Sequence, residues 1–398
     1  MNSQKPALKD IVLLGAGHAH AIVLRKFGLK PMPGVRLTLI TRRSLTPYSG
    51  MLPGLIAGLY EFDDIHIDVG QLARFANARL YLTEAIGLDL ENRRVLCNDG
   101  PPVPFDILSI DIGSTPSARD VPGVTEHAIP VKPIDAFLEH FEAARKRILH
   151  AKGRTRIGVV GAGAGGVELI LAIHSRLTRD VAAAGHNPSQ LRFFLFSASD
   201  VLPDFPAATR KRFLAILAQR GIVVMTNGRV IAVEPGAVEV ESHGRIAIDE
   251  VFWTTQAEPA RWLGETGLAL DKKGFIRVAP TLQSVSHPEV FAAGDVASIE
   301  GYDLPRSGVY AVRAAPTLEE NLRRLASGRR LIRYRPQRDA LYLISTGERY
   351  AIGTRNGITF GGAWVWKLKD WIDRRYMAQF KALPEMPAEL DHKGGNRA

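Results

Sequence analysis

The chain has 398 residues, 46% hydrophobic and 23% charged, with a formal net charge of +10 and a single cysteine. Its composition excludes a disordered or fibrous protein, and its length exceeds what one hydrophobic core serves, so two or three domains are expected. One cysteine excludes an intramolecular disulfide framework, a cysteine-based zinc cluster and any dithiol redox pair within the chain.

The first apolar run, residues 11–14, is followed at once by Gly15, Gly17 and His18. A helical pattern of Ala21, Ile22, Val23, Leu24 and Phe27 comes next, and then a second buried run at 35–40. Strand, glycine turn, helix, strand is the first half of a dinucleotide-binding unit. Strand-like stretches follow at 79–90, 93–97 and 107–110, and the proline-rich stretch 121–133 reads as a linker. The glycine pattern then recurs: a run at 156–160, the glycines 161, 163, 165 and 166, a helix from Val167 and a strand at 191–196. The separation from Gly15 to Gly161 is too long for a solenoid repeat and suits two complete nucleotide-binding domains. Strands are expected at 223–233, 237–241 and 251–255, and residues 275–278 and 290–294 read as a return to the first domain. Past residue 331 come strands at 341–345 and 350–354, a basic tryptophan-rich helix and a tail without structural signal.

The expected fold class is therefore α/β: two Rossmann-like dinucleotide-binding domains, the second inserted in the first, plus a small α+β C-terminal region. The boundaries read as 1–120 with 275–330 for the first domain, 150–260 for the second, 331–384 for the third, and a disordered tail over 385–398.

In such a turn the first glycine permits the tight backbone, the second lets the chain approach a pyrophosphate, and the third lets helix pack on strand. Unpaired N–H groups and the helix dipole then attract the anion. In the first turn His20 stands where the third glycine belongs, and a packing role is expected for it. The second strands end in Thr41 and Arg42, and in Ser197, Ala198 and Ser199, with no acid to accept from a ribose 2′-hydroxyl. Arg42 and Arg43 offer a phosphate or adenine contact instead. The second turn leaves NADH, NADPH or a vacant pocket open.

The sequence Phe291, Ala292, Ala293, Gly294, Asp295, Val296 resembles the closing motif of flavoproteins with two dinucleotide-binding domains. That superfamily includes the pyridine nucleotide-disulfide oxidoreductases, type II NADH dehydrogenases and sulfide:quinone oxidoreductases. The stretch Ser109 to Ser114, with Gly113, is similar to their strand-to-linker crossing, usually written with an Ala-Thr-Gly core. Trp253 to Gln256 sits at the second crossing, with Gln256 in place of glycine. A subgroup found alone or fused ahead of selenophosphate synthetase is resembled more specifically: in the histidines of the first turn, Thr46 to Gly54, Val131 to Asp135, Ser307 to Arg313 and Leu343 to Gly347.

The resemblance implies FAD as cofactor, held by Gly15, Gly17, His18, Arg42, Pro47, Tyr48, Gly50, Met51, Gly113, Gly294 and Asp295, with Asp295 on the ribityl chain. It implies NAD(P)H over Gly161, Gly163, Gly166, Glu168 and Ser197, and an electron acceptor near Tyr310 and Arg313. It also gives Glu168 a role in positioning the nicotinamide or relaying a proton; the alternative is a first-turn acid favoured by the helix dipole. Cys97, at the end of a hairpin strand, reads as a structural thiol, so dithiol chemistry drops out and direct hydride and electron transfer remain. No metal motif, nucleophile elbow or phosphate-binding Gly-Lys-Ser/Thr turn is present.

The positive charge is local. Residues 306–398 carry 18 Lys/Arg against 9 Asp/Glu, leaving 33 against 32 before them. On a helical projection Trp364, Val365, Leu368, Trp371, Ile372 and Tyr376 fall within an arc of about 140°, with Arg375 intruding at the last turn and Lys367, Lys369, Asp370, Asp373 and Arg374 opposite, Trp366 among them. A basic helix with tryptophan on its apolar face suits an anionic membrane surface; packing on its own domain or on a second subunit of a homodimer are the alternatives. No nucleic-acid motif accompanies the charge, and no nucleic acid is expected. With no signal-peptide pattern and no run of 18 apolar residues, the expected location is the cytoplasm, peripheral on the inner face of the membrane. The function expected is an FAD-dependent oxidoreductase taking a hydride from NAD(P)H and passing electrons to a quinone-like or other small acceptor. The alternatives are a flavoprotein of sulfur or selenium metabolism, or an FAD-binding partner or redox sensor without turnover.

Overall fold

The computed structural model describes residues 8–116, 121–151, 153–255, 257–337 and 340–384. Lys9–Leu14 is central in a five-stranded parallel sheet, ordered Val290–Ala292, Ile107–Ile110, Lys9–Leu14, Val35–Thr41, Arg79–Leu82. Its inner strands are rich in buried apolar residues because both faces are covered, while the edge strand Arg79–Leu82 is largely exposed. Ile11, Leu13 and Leu39 pack against the helix His18–Leu29 and the helix Gly308–Ala326. Val12, Leu14 and Ile40 face the other way, onto the antiparallel meander Ala85–Asp89, Arg94–Cys97, Val103–Pro104. The single thiol, Cys97, ends the middle strand of that meander and is half-buried.

The second sheet repeats the design in the order Ala128–Pro130, Glu250–Trp253, Thr155–Val160, Leu191–Phe196, Val223–Met225. The helices Ile134–His150, Ala164–Ala183 and Ala207–Gln219 pack on it through Phe137, Phe141, Ile170, Ile173, Phe213 and Leu217. The chain passes between the two domains through an antiparallel ribbon of Thr115–Pro116 with Ala257–Glu258.

Several expectations need correction. The stretch 121–133 is not all linker: Ala128–Pro130 forms an edge strand of the second sheet, where a proline is tolerated because one side needs no ladder bond. The second unit thus begins before residue 150. The run 223–233 breaks into Val223–Met225 and Val230–Glu234 around Asn227, whose φ of 55° ends the extended chain. Val290–Ala292 returns to the first sheet, whereas Ile276–Val278 pairs with Ala297–Ile299 in a ribbon of its own. The strands Gly244–Ala247 and Ile358–Gly362 were not foreseen. The tail 385–398 and Gln256 lie outside the described residues.

The C-terminal unit is a three-stranded antiparallel sheet, Tyr342–Ser345, Ala351–Arg355, Ile358–Gly362, against which the helix Ala363–Lys381 packs. The structure differs from the helical projection, which set Lys369 and Asp373 on the polar face of this helix. Its buried stripe is Val365, Lys369, Asp373, Met377 and Phe380, so Lys369 and Asp373 point inward rather than to solvent. Trp364 and Trp371 are each 56% exposed, and the Arg375 guanidinium lies 5.2 Å from the Trp371 ring centre. Among the described residues no helix is long and apolar enough to cross a membrane.

Candidate functional site

At the first glycine turn, Gly15 has a φ of 88°, and a Cβ there would fall 2.4 Å from the Asp111 carbonyl oxygen. Any side chain would therefore both strain and clash. The Gly17 N–H donates to that same carbonyl at 3.1 Å. The Asp111 carboxylate then reaches under the helix His18–Leu29 and accepts from the Ala19 and His20 N–H groups at 2.9 and 3.1 Å. A Cβ on Gly17 would land 2.3 Å from this carboxyl, and one on Gly294 2.4 Å from it. The seat that a helix N-terminus offers to a phosphate is thus held by a side-chain anion only 3% exposed. Burial pushes the Asp111 carboxyl up to about 7; the two N–H groups oppose the shift and the charge of Asp295 adds to it. Sequence reasoning missed Asp111. The available signal was an acid at the first position of a crossing motif usually written with alanine. His20 packs against the turn, its Nδ1 2.6 Å from the Gly15 carbonyl and its Nε2 2.8 Å from the Ser109 hydroxyl.

Next to this seat, His18 sets its ring edge-on to Tyr48 at 5.3 Å, and Tyr48 lies 4.6 Å from Tyr376. Burial lowers the His18 imidazole to about 4, and its Nε2 is buried with no hydrogen-bond partner. The Asp295 carboxylate accepts from Lys132 Nζ at 2.7 Å and from the Ser114 hydroxyl at 3.0 Å. Burial works against its charge, yet Lys132 and Ser114 together hold the carboxyl below its ordinary value. Lys132 belongs to a stretch the sequence singled out, but it was not named there as a site residue. Gly113 and Gly294 have φ of 73° and 72°, and a Cβ on Gly113 would meet nothing within 4 Å.

The second turn divides its glycines differently. A Cβ on Gly166 would fall 1.8 Å from the Gly161 carbonyl oxygen, so Gly166 serves helix packing. Gly163 and Gly165 face open space at the start of the helix Ala164–Ala183, room that a pyrophosphate can fill. Ser197 is buried and donates to the Asp200 carbonyl at 3.2 Å. On the same helix, Glu168 Oε1 accepts from the Ser345 N–H at 2.6 Å. Burial pushes the Glu168 carboxyl up to about 7, against the pull of Lys369. Lys369 Nζ donates to the Gly50 carbonyl at 2.7 Å and to Asp373 Oδ2 at 2.6 Å, while the Tyr48 hydroxyl donates to Asp373 Oδ1 at 3.3 Å. The polar pair misassigned to solvent therefore ties the C-terminal helix to the first domain beside Glu168.

A cavity of about 1620 Å³ brings Tyr48, Gly50, Lys132, Glu168, Asp295 and Lys369 together with Tyr310 and Arg313. Met51, expected to face the cofactor, is instead fully buried in the first apolar core. Pro47 ends a short strand, Leu45–Pro47, paired with His66–Asp68. Arg42, at the end of its strand, is exposed and lies 3.7 Å from Glu84. Cys97 does not line the cavity. Among the described residues no group of three or more His, Cys, Asp or Glu is placed to hold a metal ion.

Residues 9–315 match the family described as pyridine nucleotide-disulphide oxidoreductase. The chain is 24% identical over 298 residues to the NADH dehydrogenase-like protein YutJ of Bacillus subtilis, covering 73% of this chain and 78% of that protein. It is 27% identical over 314 residues to the type II NADH:quinone oxidoreductase NdhA of Mycobacterium tuberculosis, covering 72% and 67%. Among solved structures, the sulfide:quinone oxidoreductase of Aquifex aeolicus superposes with a TM-score of 0.79 at 18% identity, covering 96% of this chain and 93% of that one.

Proposed function

The chain belongs to the pyridine nucleotide-disulphide oxidoreductase family, and from that premise we propose an FAD-dependent oxidoreductase that takes a hydride from NAD(P)H and passes electrons to a quinone-like or other small acceptor. One observation carries the reading. A single cavity borders the second glycine turn, through Ala164 and Gly165, and the Tyr48–Gly50 loop with Asp295, and no cysteine lines it. The thiol relay of a disulfide reductase has no place there, so electrons move directly between cofactors.

The residues fit the cofactor. The Asp111 carboxylate marks an anion seat on the first helix, Gly113 leaves open space, and the unpartnered His18 Nε2 is a buried polar atom in want of a partner. FAD, when bound, supplies the hydride acceptor and the electron donor. Asp295, fixed by Lys132 and Ser114, orients the hydroxyl-bearing part of the cofactor. His18, Tyr48 and Tyr376 form an aromatic wall that excludes water. Gly163 and Gly165 admit the pyrophosphate of NAD(P)H. Glu168 has Oε1 committed to the Ser345 N–H, which leaves Oε2 to hold or release a proton near neutral pH.

The test is spectroscopic: purify the flavin-loaded protein and add NADH, then NADPH, under anaerobic conditions. Bleaching of the flavin by either nucleotide supports the reading. A flavin that dithionite bleaches but neither nucleotide does overturns it in favour of a redox sensor or another donor.

We also propose that the chain belongs to the subgroup found alone or fused ahead of selenophosphate synthetase, a reading supported by its first-turn histidines and the 46–54 and 131–135 stretches. The exposed Trp364 and Trp371, with Leu368 and Ile372 on the same helix, form the proposed contact with an anionic membrane. Trp364→Ala with Trp371→Ala should lower co-sedimentation with phosphatidylglycerol vesicles; undiminished partitioning would remove the helix from that role.

A further inference from the structure

The lining of the cavity carries, on exposed residues, a charge pattern that a neutral acceptor does not use. Arg313 comes from the helix Gly308–Ala326, Arg333 and Arg335 from the stretch that follows it, and Arg355 from the end of the strand Ala351–Arg355. Three separate segments thus bring four guanidinium groups to one cavity, all on exposed residues. None of the four has a hydrogen bond or ion pair among the described residues. The other cations of the lining are committed: Lys132 to Asp295, Lys369 to Asp373, and Arg306 to the carbonyls of Asp295 and Ala297 at 2.6 and 2.9 Å. Of the acids, Asp295 and Asp373 are paired and Glu168 is hydrogen-bonded, which leaves Asp204 and Asp303. The uncommitted charge is four positive against two negative.

The same lining is rich in aromatic residues. Phe205 meets Tyr342 edge-on at 5.2 Å, with Tyr310 on the same cavity. Flat rings suit such walls, whereas guanidinium groups gain nothing from an isoprenoid tail and lose hydration under it. Guanidinium is also the side chain best shaped to grip a carboxylate, sulfonate or phosphate in two-pronged fashion.

We propose that the electron acceptor is an organic anion: a flat, reducible ring bearing an acidic substituent, its charge held by Arg313, Arg333, Arg335 and Arg355. This rests on the oxidoreductase reading above and names the substrate class of that site. NAD(P)H gives up a hydride, two electrons and one proton. The acceptor takes two electrons and two protons, the second proton coming from solvent, and leaves as its dihydro form.

The experiment uses two acceptors that share one ring: 1,4-naphthoquinone and its 2-sulfonate. The flavin-loaded protein is reduced with dithionite, so that a failure of NAD(P)H to donate does not enter, and reoxidation is followed by stopped flow. Raising salt from about 20 to about 300 mM shortens the screening length severalfold and should slow reoxidation by the sulfonate about tenfold, leaving the parent quinone nearly unaffected. Arg335→Glu with Arg355→Glu should cut the sulfonate-to-parent rate ratio by about tenfold or more. Parallel salt responses of the two acceptors, or an unchanged ratio in the double variant, would overturn the proposal. So would a variant that keeps the ratio but loses binding to phosphatidylglycerol vesicles relative to phosphatidylcholine vesicles, which would give the arginines to lipid headgroups. Loss of the NADH-driven step alone, with the dithionite-driven ratio intact, would count against the parent reading only.

Discussion

Asp111→Asn should tighten FAD binding at pH 8 and remove its dependence on pH. The native carboxyl is pushed up to about 7 by burial and occupies the helix N-terminus proposed to seat the cofactor's pyrophosphate. At pH 8 it is mostly ionised, and neutralising it costs about 1.4 kcal/mol, one pKa unit. A carboxylate left charged at about 4 Å from a phosphate would cost about 4 kcal/mol at an effective dielectric of 20. Protonation would therefore be the cheaper route until roughly three units above the carboxyl's own pKa, and FAD is expected to bind together with a proton. The apparent Kd should be flat below pH 7 and rise about tenfold per unit above it. Asn keeps an acceptor for the Ala19 N–H without the charge, so its Kd at pH 8 should be about tenfold lower than that of the native chain. The groups facing Asp111 do not imitate this profile. Burial holds His18 and His20 near 4, hence neutral, while Asp295 stays charged and the Tyr376 hydroxyl is pushed further up. Glu168 titrates near 7 from the cavity, so Glu168→Gln is the control. Quenching of flavin fluorescence, titrated into apoprotein between pH 6 and 9, supplies the Kd. A native Kd that does not move with pH, or an Asn variant with the native slope, would refute the competition between carboxylate and cofactor.

Three further outcomes follow from the same geometry. Glu168→Gln should lose the step near pH 7 in the rate of flavin reduction and slow it by roughly 10²-fold in stopped flow, and an unchanged rate would exclude Glu168 from the chemistry. Gly163→Ala, whose Cβ meets open space, should keep the native melting temperature and raise the KM for NAD(P)H, while Gly166→Ala, 1.8 Å from the Gly161 carbonyl oxygen, should lower the melting temperature. Lys369→Met strands the buried Asp373 carboxylate and should cost about 3–5 kcal/mol in denaturant unfolding, most of it recovered when Asp373→Leu is added; equal destabilisation by single and double variants would show that the pair is not coupled.

The parts of this fold legible in the sequence are those where local pattern and buried environment agree. Residues 11–14 and 156–160 read as parallel strands because sheets covered on both faces demand continuous apolar runs, and the glycines after them can be read from backbone need alone. Ala128–Pro130 escaped because an edge strand accepts prolines, which otherwise signal a linker. The site was legible where a residue type is forced, as at Gly15, and illegible where long-range partners decide its state. Nothing near Asp111 in sequence announces that its carboxylate caps a helix starting 93 residues earlier, at His18.

In the C-terminal helix it was the polar face that was misread. A helical projection scores Lys369 and Asp373 as solvent-facing because isolated charges are expensive to bury. Placed four residues apart they neutralise each other, and Gly50 and Tyr48 satisfy what remains, so the pair can lie inward as a single hydrogen-bonded unit. Turning that face inward has a consequence for the outside. Trp364 and Trp371, read as the apolar side that would pack or dock, are left largely exposed, Trp364 stacked on Phe360 at 5.4 Å and Trp371 beside the Arg375 guanidinium. The aromatic surface left in solvent is what the proposed contact with an anionic membrane would draw on.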